Sequence, residues 1–243
     1  MPRFFTPSEN FEENRVRITG EDAYHIARAL RMAVGDEITV LDMQGREHAC
    51  RLLKIRDEEC ECEILSTKEG ETESPVDITL YMGYPKGDKL ELVIQKAVEL
   101  GASRIVPFES SRCVKRPKQD KAEKQGARLS RIAEEAAKQC GRSKLAAVSQ
   151  PMSFKAAIED AKGSELALFC YEGDGTESLR SVISDKKAKS ISVIVGCEGG
   201  FSKDEADEAI KEGLIPVNLG PRILRCETAP IYVLSCISYV YEL

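Results

Sequence analysis

Histidine is scarce in this chain of 243 residues: it has only two, His25 and His48, and both lie near the N-terminus. Ser-His-Asp catalysis needs an imidazole within hydrogen-bond reach of the nucleophile. We therefore expect a site in the C-terminal part of the chain to work without histidine, unless one of the two reaches it across domains.

Paired cysteines are also missing. The sequence has nine cysteines but no C-x-x-C pair, the spacing typical of zinc and redox sites. Acidic residues do not cluster with His or Cys at ligand spacing either. We expect no metal site, and we expect reduced thiols that pack as small apolar side chains.

Long apolar runs are absent. The longest uncharged apolar run covers residues 229–241, which is shorter than the roughly 20 residues that span a bilayer. It predicts a buried helix and no membrane association. The first residues lack the apolar core of a signal peptide, so we expect a cytoplasmic protein.

An excess of positive charge is missing too, because the net charge is −6. This argues against a uniformly basic nucleic-acid binder. The charge is nevertheless uneven: residues 112–144 hold eleven Lys or Arg against four acids, whereas residues 57–73 hold eight acids against one Lys. The basic block is typical of a phosphate-binding face or of a solvated helix surface, and charge alone does not decide between them.

Short predicted strands fill the first 70 residues, which favours a small β-barrel. A short helix over residues 21–32, with Ile26, Ala29 and Leu30 on one side, interrupts them. The predicted strands cover residues 16–19, 37–41, 46–55 and 59–64. A polar, acidic run over residues 66–75 predicts a linker.

After the linker, predicted strands alternate with helices, which indicates an α/β domain with a parallel sheet. The predicted strands cover residues 76–82, 104–108, 146–148, 166–170, 191–195 and 214–219. The predicted helices cover residues 89–100, 121–140 and 153–161, with others near Glu177 and Asp204 and over residues 229–241.

Two loops in this domain carry the strongest functional signal. Gly-Cys-Glu-Gly-Gly-Phe-Ser occupies residues 196–202, and Leu-Gly-Pro-Arg-Ile-Leu-Arg-Cys-Glu-Thr-Ala occupies residues 219–229. Because glycine has no side chain, the backbone N–H and C=O groups of these loops can contact a flat ligand. Ser202 followed by Glu205 has the spacing of a helix capping box. We predict that the loops end neighbouring strands and hold a nucleotide-like cofactor at the carboxyl edge of the sheet. Taken singly, each loop is also typical of an ordinary βα turn.

Familiar phosphate-binding motifs are incomplete. The G-x-G at residues 173–175 lacks its third glycine, because Ser178 occupies that position. The segment over residues 83–89 has too few residues between its glycines, and Asp88 replaces the lysine of a phosphate-binding loop. Any cofactor is therefore expected in the unusual pair of loops.

The two loops resemble the signature motifs of RsmE-type 16S ribosomal RNA methyltransferases, which belong to the SPOUT class. The resemblance covers nearly the whole chain in the same order. It includes Arg3-Phe4-Phe5 and residues 96–101, 135–142 and 171–172. Two departures stand out: the family usually has Pro at the position of Cys197 and Thr at the position of Cys226.

The resemblance implies a PUA-like RNA-binding β-barrel over residues 1–70 and a SPOUT methyltransferase domain over residues 76–243 with a C-terminal trefoil knot. It also implies a homodimer with S-adenosyl-L-methionine as methyl donor. The implied reaction is methylation at N3 of a uridine in 16S rRNA within an assembled small ribosomal subunit. Two alternatives stay open: methylation of another rRNA or tRNA nucleotide, and a non-catalytic RNA-binding protein of the same fold.

Residue roles follow from the same resemblance. Arg222 and Arg225 are candidates to stabilise an anionic uracil, and Glu227 is a candidate to take the N3 proton or to orient an arginine. The alternative for this group is a structural ion-pair network. The cofactor candidates are Gly196, Glu198, Gly199, Gly200, Leu219, Gly220, Leu224, Thr228, Ala229, Phe169 and Tyr171. The RNA-binding candidates are Arg3, Arg112, Lys115, Arg116, Arg131 and Arg142.

Two further expectations concern the homodimer interface and the effect of the basic residues on cofactor binding. Apolar residues surround the last predicted helix instead of forming one stripe, so we expect this helix to build the dimer. Arg112, Lys115 and Arg116 lie outside both glycine loops, so we expect their neutralisation to leave cofactor binding unchanged.

Overall fold

The computed structural model describes residues 1–114, 122–184 and 187–243. They form two compact units: Met1–Glu73 with Ala137–Leu145, and Ser74–Ala136 with Ala146–Leu243. The sequence predicts a first domain over residues 1–70, and it gives no signal for the inclusion of residues 137–145 in that unit. In the part of the chain that the structure describes, no helix is long and apolar enough to cross a membrane.

The first unit is built on one six-stranded sheet in the order β1-β4-β5-β6-β3-β2. Val16 and Ile18 point into its core while Arg15 and Arg17 point to solvent, the alternation of a half-buried strand. Among the described residues β1 and β2 are edge strands, so the predicted barrel is a half-barrel. The strands are β1 (Arg3–Phe5), β2 (Phe11–Glu12), β3 (Arg15–Thr19), β4 (Glu37–Leu41), β5 (Arg46–Ile55) and β6 (Glu59–Glu69).

The linker prediction was wrong over its first residues, because β6 continues to Glu69. The extension pairs with β5, with Glu69 opposite Arg46 and Lys68 opposite Glu47. Opposite charges on facing strands stabilise such a pair. The polar composition of residues 66–69 indicated a linker, although these residues form a strand with β5, which lies earlier in the chain.

The predicted helix over residues 21–32 is shorter and changes type. It consists of α1 (Glu21–Tyr24) and one π-helical turn (His25–Ala29), in which the Leu30 amide donates to the His25 carbonyl over 2.9 Å. The wider π turn shifts the side-chain positions around the axis. As a result Ile26 is buried, but Ala29 and Leu30 are exposed, contrary to the prediction.

The second unit contains a sheet in the order β10-β8-β7-β13-β11-β14-β12, with β9 paired to β8. Among the described residues, all strand pairs of this sheet are parallel, which confirms the predicted α/β class. The strands are β7 (Asp77–Gly83), β8 (Arg104–Glu109), β9 (Ala147–Val148), β10 (Met152–Ser153), β11 (Leu166–Cys170), β12 (Glu177–Ser178), β13 (Ser190–Val195) and β14 (Ile215–Asn218). The helices are α2 (Lys89–Glu99), α3 (Ala122–Cys140), α4 (Phe154–Ala161), α5 (Leu179–Ser184), α6 (Lys203–Lys211) and α7 (Thr228–Glu242). The last four residues of α3 belong to the first unit. The trefoil knot stays a prediction.

A cluster of aromatic rings anchors the first glycine loop to the core of this unit. Phe201, at the end of that loop, lies with its ring centroid 4.6 Å from Phe169, 5.3 Å from Phe154 and 6.2 Å from Phe108. All four rings are buried. Since interiors pack to near-crystal density, this anchor fixes where the loop leaves the sheet.

Candidate functional site at the carboxyl edge of the parallel sheet

The two glycine loops follow β13 and β14, and both therefore lie at the carboxyl edge of the parallel sheet. They do not follow neighbouring strands, as the sequence suggested, because β11 lies between β13 and β14. Three strand ends thus face the site instead of two. This is the place where open α/β sheets bind their ligands.

The first loop is held closely against the end of β7. A Cβ built on Gly83 would lie 2.5 Å from the Cys197 nitrogen and 2.9 Å from the Gly196 carbonyl carbon. Glycine at position 83 is therefore needed for the approach of two backbones. Gly200 has a φ of +62°, and its amide donates to the Cys197 carbonyl over 2.9 Å to close the turn.

The capping box predicted after this loop is confirmed. The Glu205 amide donates to Ser202 Oγ over 3.2 Å, and the Ser202 amide donates to Glu205 Oε2 over 2.9 Å. The other carboxylate oxygen of Glu205 accepts from the Ser111 amide over 2.6 Å. The start of α6 is thereby linked to the loop after β8.

The loop after β8 also contacts the glycine loop through Arg112. Arg112 Nη1 donates to the Gly199 carbonyl over 2.9 Å, and a Cβ on Gly199 would lie 2.9 Å from Arg112 Cβ. The expectation that Arg112 is independent of the glycine loops therefore rests on a wrong premise. Lys115 and Arg116 lie outside the described residues.

The second loop turns at Gly220, whose φ is +101°. The Gly220 amide donates to Asn218 Oδ1 over 3.3 Å, and the amides of Thr228 and Ala229 donate to the Arg225 carbonyl over 2.8 and 2.9 Å. Both ends of the loop are thus fixed by hydrogen bonds. The segment between them is exposed, with Ile223 81% accessible.

Arg222 and Arg225 both have exposed side chains. Neither side chain forms an ion pair or hydrogen bond with another of the described residues. As far as the described residues show, the ion-pair network considered for this loop does not include its arginines. Two guanidinium groups beside the glycine loops are available to a negatively charged ligand.

The carboxylates of the two loops pair with a lysine that the sequence did not indicate. Lys89 Nζ lies 3.2 Å from Glu198 Oε1 and 3.0 Å from Glu227 Oε2. It also donates to Cys226 Sγ over 3.8 Å. Glu198 and Glu227 are thus brought together by one ammonium group from the start of α2.

These contacts hold both carboxylates ionised. Burial opposes ionisation of Glu198, but its own amide, the Lys86 amide and Lys89 outweigh burial and lower its pKa. The pKa of Glu227 is lowered first by its own amide and then by Cys226 and Lys89. The pKa of Lys89 is raised, chiefly by its hydrogen bond to Glu227. The three groups are charged at neutral pH.

Two buried thiols lie under the first loop. The pKa of Cys113 is lowered to about 6 because it accepts a hydrogen bond from the Cys197 thiol and further ones from Ser110, whose amide and hydroxyl lie 3.4 and 3.3 Å away. Both cysteines are at most 6% exposed. Cys197 thus occupies its position as a buried hydrogen-bond donor, where the resembling family usually has Pro.

The remaining cofactor candidates differ in accessibility. Phe169 is fully buried and stacks on Tyr171, whose ring centroid is 5.7 Å away, so Phe169 supports the site from the core. Ala229 is buried as well, Leu219 and Leu224 are half-buried, and Gly220 and Thr228 are exposed. The structure brings these last four residues to the same edge as the first loop.

The RNA-binding candidates outside this edge are engaged elsewhere. Arg142 is 5% exposed and its guanidinium donates to Glu73 over 2.7 Å. Arg3 donates to Glu47 over 2.6 Å and to the Gly141 carbonyl over 3.1 Å. Arg131 is exposed and pairs with Glu135 at 3.2 Å. Burial makes Arg142 the least accessible of these cations.

Lys89 and Gly83 are the two residues that sequence reasoning missed. Both belong to the segment over residues 83–89, which fails as a phosphate-binding loop. A signal did exist: this segment follows a predicted strand of the same parallel sheet, so its end had to lie at the same edge. Among the described residues, no group of three or more His, Cys, Asp or Glu is placed to hold a metal ion.

One edge of the sheet thus combines two glycine loops with accessible backbone, the paired carboxylates of Glu198 and Glu227, and the exposed side chains of Arg222 and Arg225. Comparisons with known proteins agree with this chemistry. Residues 72–238 match the model of the RNA methyltransferase domain, and residues 18–65 match that of the RNA methyltransferase PUA domain.

Similar proteins cover the full length of the chain. It is 34% identical to ribosomal RNA small subunit methyltransferase E of Bacillus subtilis over 100% of this chain and 98% of the relative. It is 33% identical to the protein of the same name from Synechocystis over 99% of this chain and 78% of the relative. The crystal structure of the Neisseria gonorrhoeae enzyme of that name, bound to S-adenosyl methionine, matches with a TM-score of 0.88 at 30% identity, over 99% of this chain and 98% of that one. The chain therefore belongs to the RNA methyltransferase family, with an N-terminal PUA-like domain and a C-terminal methyltransferase domain.

Proposed function

We propose that this protein transfers a methyl group from S-adenosylmethionine to N3 of a uridine in small-subunit ribosomal RNA. The observation that carries the proposal is the placement of Arg222 and Arg225, which have no side-chain partner among the described residues, beside two glycine loops at one sheet edge. The similarity to small subunit methyltransferase E proteins supports the substrate class.

The residues at this edge fit the proposed methyl donor. Gly200 and Gly220 have positive φ angles, and apart from each glycine and its two chain neighbours no described heavy atom lies within 4 Å of a Cβ built on either. Their backbone therefore borders open space of the kind that a flat nucleoside can occupy. Leu219 and Leu224 would contact the adenosine with apolar side chains. When bound, the donor supplies an electrophilic methyl group on a sulfonium.

The arginines fit the other half of the reaction. N3 of uridine must lose its proton to become a good nucleophile, so negative charge develops on the uracil. Arg222 and Arg225 would stabilise that charge and lower the pKa of N3 itself, so that solvent water can accept the proton.

Glu227 has a different role in this proposal. A general base works best when its pKa is near the working pH, whereas the pKa of Glu227 is lowered by its amide, Cys226 and Lys89. Its carboxylate is therefore a weak base. It would act mainly by fixing the second loop, so that Arg225 is held in position.

The proposal also includes a homodimer, an assembled ribosomal substrate and a knotted chain. The exposed apolar side chains on α7 are Tyr232, Tyr239 and Val240, and we place a homodimer interface there. Two domains, one PUA-like, suit an RNA substrate inside an assembled small ribosomal subunit in the cytoplasm. The chain would pass through a trefoil knot around the two glycine loops.

The test is to incubate the purified protein with labelled S-adenosylmethionine and small ribosomal subunits that lack the modification. Label at N3 of a single uridine is the expected result. Label on transfer RNA, on another base or on no RNA would each overturn the proposal. Deproteinised 16S rRNA in parallel reactions tells whether assembly is required.

A further inference from the structure

Lys89 is the first residue of α2, which follows β7. Its side chain nevertheless reaches the loops after β13 and β14, the second of which lies three places from β7 in the sheet. The ammonium is 3.2 Å from Glu198 Oε1 and 3.0 Å from Glu227 Oε2. One side chain therefore connects both glycine loops.

The loops do not meet through the sheet itself. Because β11 lies between β13 and β14, the two strand ends are separated by about 10 Å, twice the usual spacing between strands. Each carboxylate is fixed by its own surroundings: Glu198 Oε1 accepts from the Lys86 amide over 3.0 Å, and Glu227 Oε2 accepts from the Cys226 thiol over 3.2 Å. Within the part of the chain that the structure describes, Lys89 joins them.

The connection between the two loops depends on the positive charge of Lys89. Of the titratable groups that the structure describes, Glu198, Glu227 and Cys226 face Lys89. Burial raises the pKa of Cys226 to about 12, so that thiol stays neutral. Without the ammonium, two carboxylates would face each other and repel, and one of them would take up a proton more readily.

Stability of the fold is a poor explanation for this arrangement. The three side chains are between 25% and 31% exposed, and ion pairs that are partly exposed to water contribute little to folding. The Lys89 bridge therefore affects the spacing of the two glycine loops more than it affects the stability of the core.

We infer that Lys89 is a positioning residue for methyl transfer, whose ammonium holds the Glu198 loop and the Glu227 loop at the spacing that the methyl donor requires. This inference rests on the proposed function, because the donor binds between these loops. It assigns Lys89 to no step of the chemistry, since the ammonium acts through the two carboxylates.

The experiment measures S-adenosylmethionine binding by calorimetry at about pH 8 and at about pH 4.5, the ordinary pKa of a glutamate. The variants are Lys89→Met, Lys89→Arg and Lys89→Met combined with Glu198→Gln. Lys86→Met is the matched control, because Lys86 lies in the same segment and contacts Glu198 only through its backbone amide. It removes the same charge without removing the bridge.

Lys89→Met is expected to weaken binding at least tenfold at the higher pH, within the range of about 5–150-fold known for coupling between sites. Binding should recover in the double variant, where the repulsion is gone, and in part at the lower pH, where carboxylates that repel each other begin to take up a proton. Lys89→Arg and Lys86→Met should stay within a few-fold of the wild type.

The outcomes separate the inference from the proposed function. Failure of the wild-type protein to bind the donor would overturn the proposed function itself. Normal donor binding by Lys89→Met at both pH values would overturn only the inference. Two other outcomes would assign Lys89 a structural role and would also overturn the inference. One is a loss of donor affinity in Lys89→Met that neither low pH nor Glu198→Gln restores. The other is the unfolding of every uncharged variant, measured by circular dichroism.

Discussion

Arg112 Nη1 donates a hydrogen bond to the carbonyl oxygen of Gly199 over 2.9 Å. This contact joins the basic segment after β8 to the first glycine loop. A cation that the sequence analysis named as an RNA-binding candidate is thus also part of the scaffold that shapes the candidate cofactor site.

Arg112→Ala is expected to weaken S-adenosylmethionine binding about fivefold, because one hydrogen bond of about 1 kcal/mol no longer holds Gly199. Calorimetric titration measures the change. Arg128→Ala is the control, since Arg128 belongs to the same basic block but pairs with Glu91 at 2.9 Å. Equal donor affinity in both variants would show that the Gly199 contact does not shape the site.

Gly83→Ala is expected to disrupt donor binding more strongly than Arg112→Ala. The new Cβ would lie 2.5 Å from the Cys197 nitrogen, and backbone atoms cannot move aside as a flexible side chain can. The first loop must shift as a whole, and overpacking of this kind costs about 1–3 kcal/mol. Thermal unfolding and calorimetry together measure the effect. A variant with normal donor affinity would contradict the close approach of the two backbones.

The class of the second unit could be predicted from local pattern, because apolar strands alternating with helices leave a parallel sheet as the arrangement that buries both faces. The capping box at Ser202 was also predictable, since it depends on residues three positions apart. Both features are encoded within short windows of sequence.

Contacts between distant segments could not be predicted in the same way. The Lys89 bridge depends on α2 meeting loops more than 100 residues later in the chain, and the order of strands in the sheet decides that meeting. Residues 66–69 became a strand only because β5 was there to pair with them. Composition indicated a linker for these residues, and tertiary pairing overrode it.

Glu73→Ala is expected to destabilise the first unit by about 3–5 kcal/mol, the usual effect of removing one partner of a buried ion pair. Arg142 is 5% exposed, and Glu73 also accepts from the amides of Ser143 and Lys144 over 2.9 and 3.0 Å. Urea unfolding followed by circular dichroism measures the loss. Glu63→Gln, which alters an exposed carboxylate of the same unit, should change stability little.

The same ion pair predicts a direction of pH dependence. Burial opposes ionisation of Glu73, but Arg142 and the backbone amides outweigh it, so its pKa is lowered from the ordinary value of 4.5. A lowered pKa contributes stability that is present above the ordinary value and is lost as the pH falls through the folded-state value. The difference in stability between wild type and Glu73→Gln should therefore shrink below about pH 4.5. A difference that stays constant between neutral and acid pH would contradict the ion pair.

Tyr239→Glu is expected to convert a dimer into monomers. Tyr239 is 71% exposed on α7, and Tyr232 and Val240 lie exposed on the same helix, so a charge there would be buried without a partner in the interface. Light scattering at micromolar concentration measures the mass. Tyr24→Glu is the control, because Tyr24 is an exposed tyrosine of the first unit. A wild-type protein that is monomeric would contradict the proposed interface directly.

Arg225→Ala is expected to lower turnover about 10²–10³-fold and to leave donor affinity nearly unchanged, since a group that stabilises the developing charge on uracil acts in the chemical step. The Arg225 side chain is exposed and has no side-chain partner among the described residues, so its removal leaves no carboxylate unpaired. Its structural contribution comes from its backbone carbonyl, which accepts from Thr228 and Ala229 and is retained in the variant. Single-turnover methylation at saturating donor and RNA measures the chemical step, and calorimetry measures donor binding. Turnover within a few-fold of the wild type would assign the charge stabilisation to Arg222 and leave Arg225 outside the reaction.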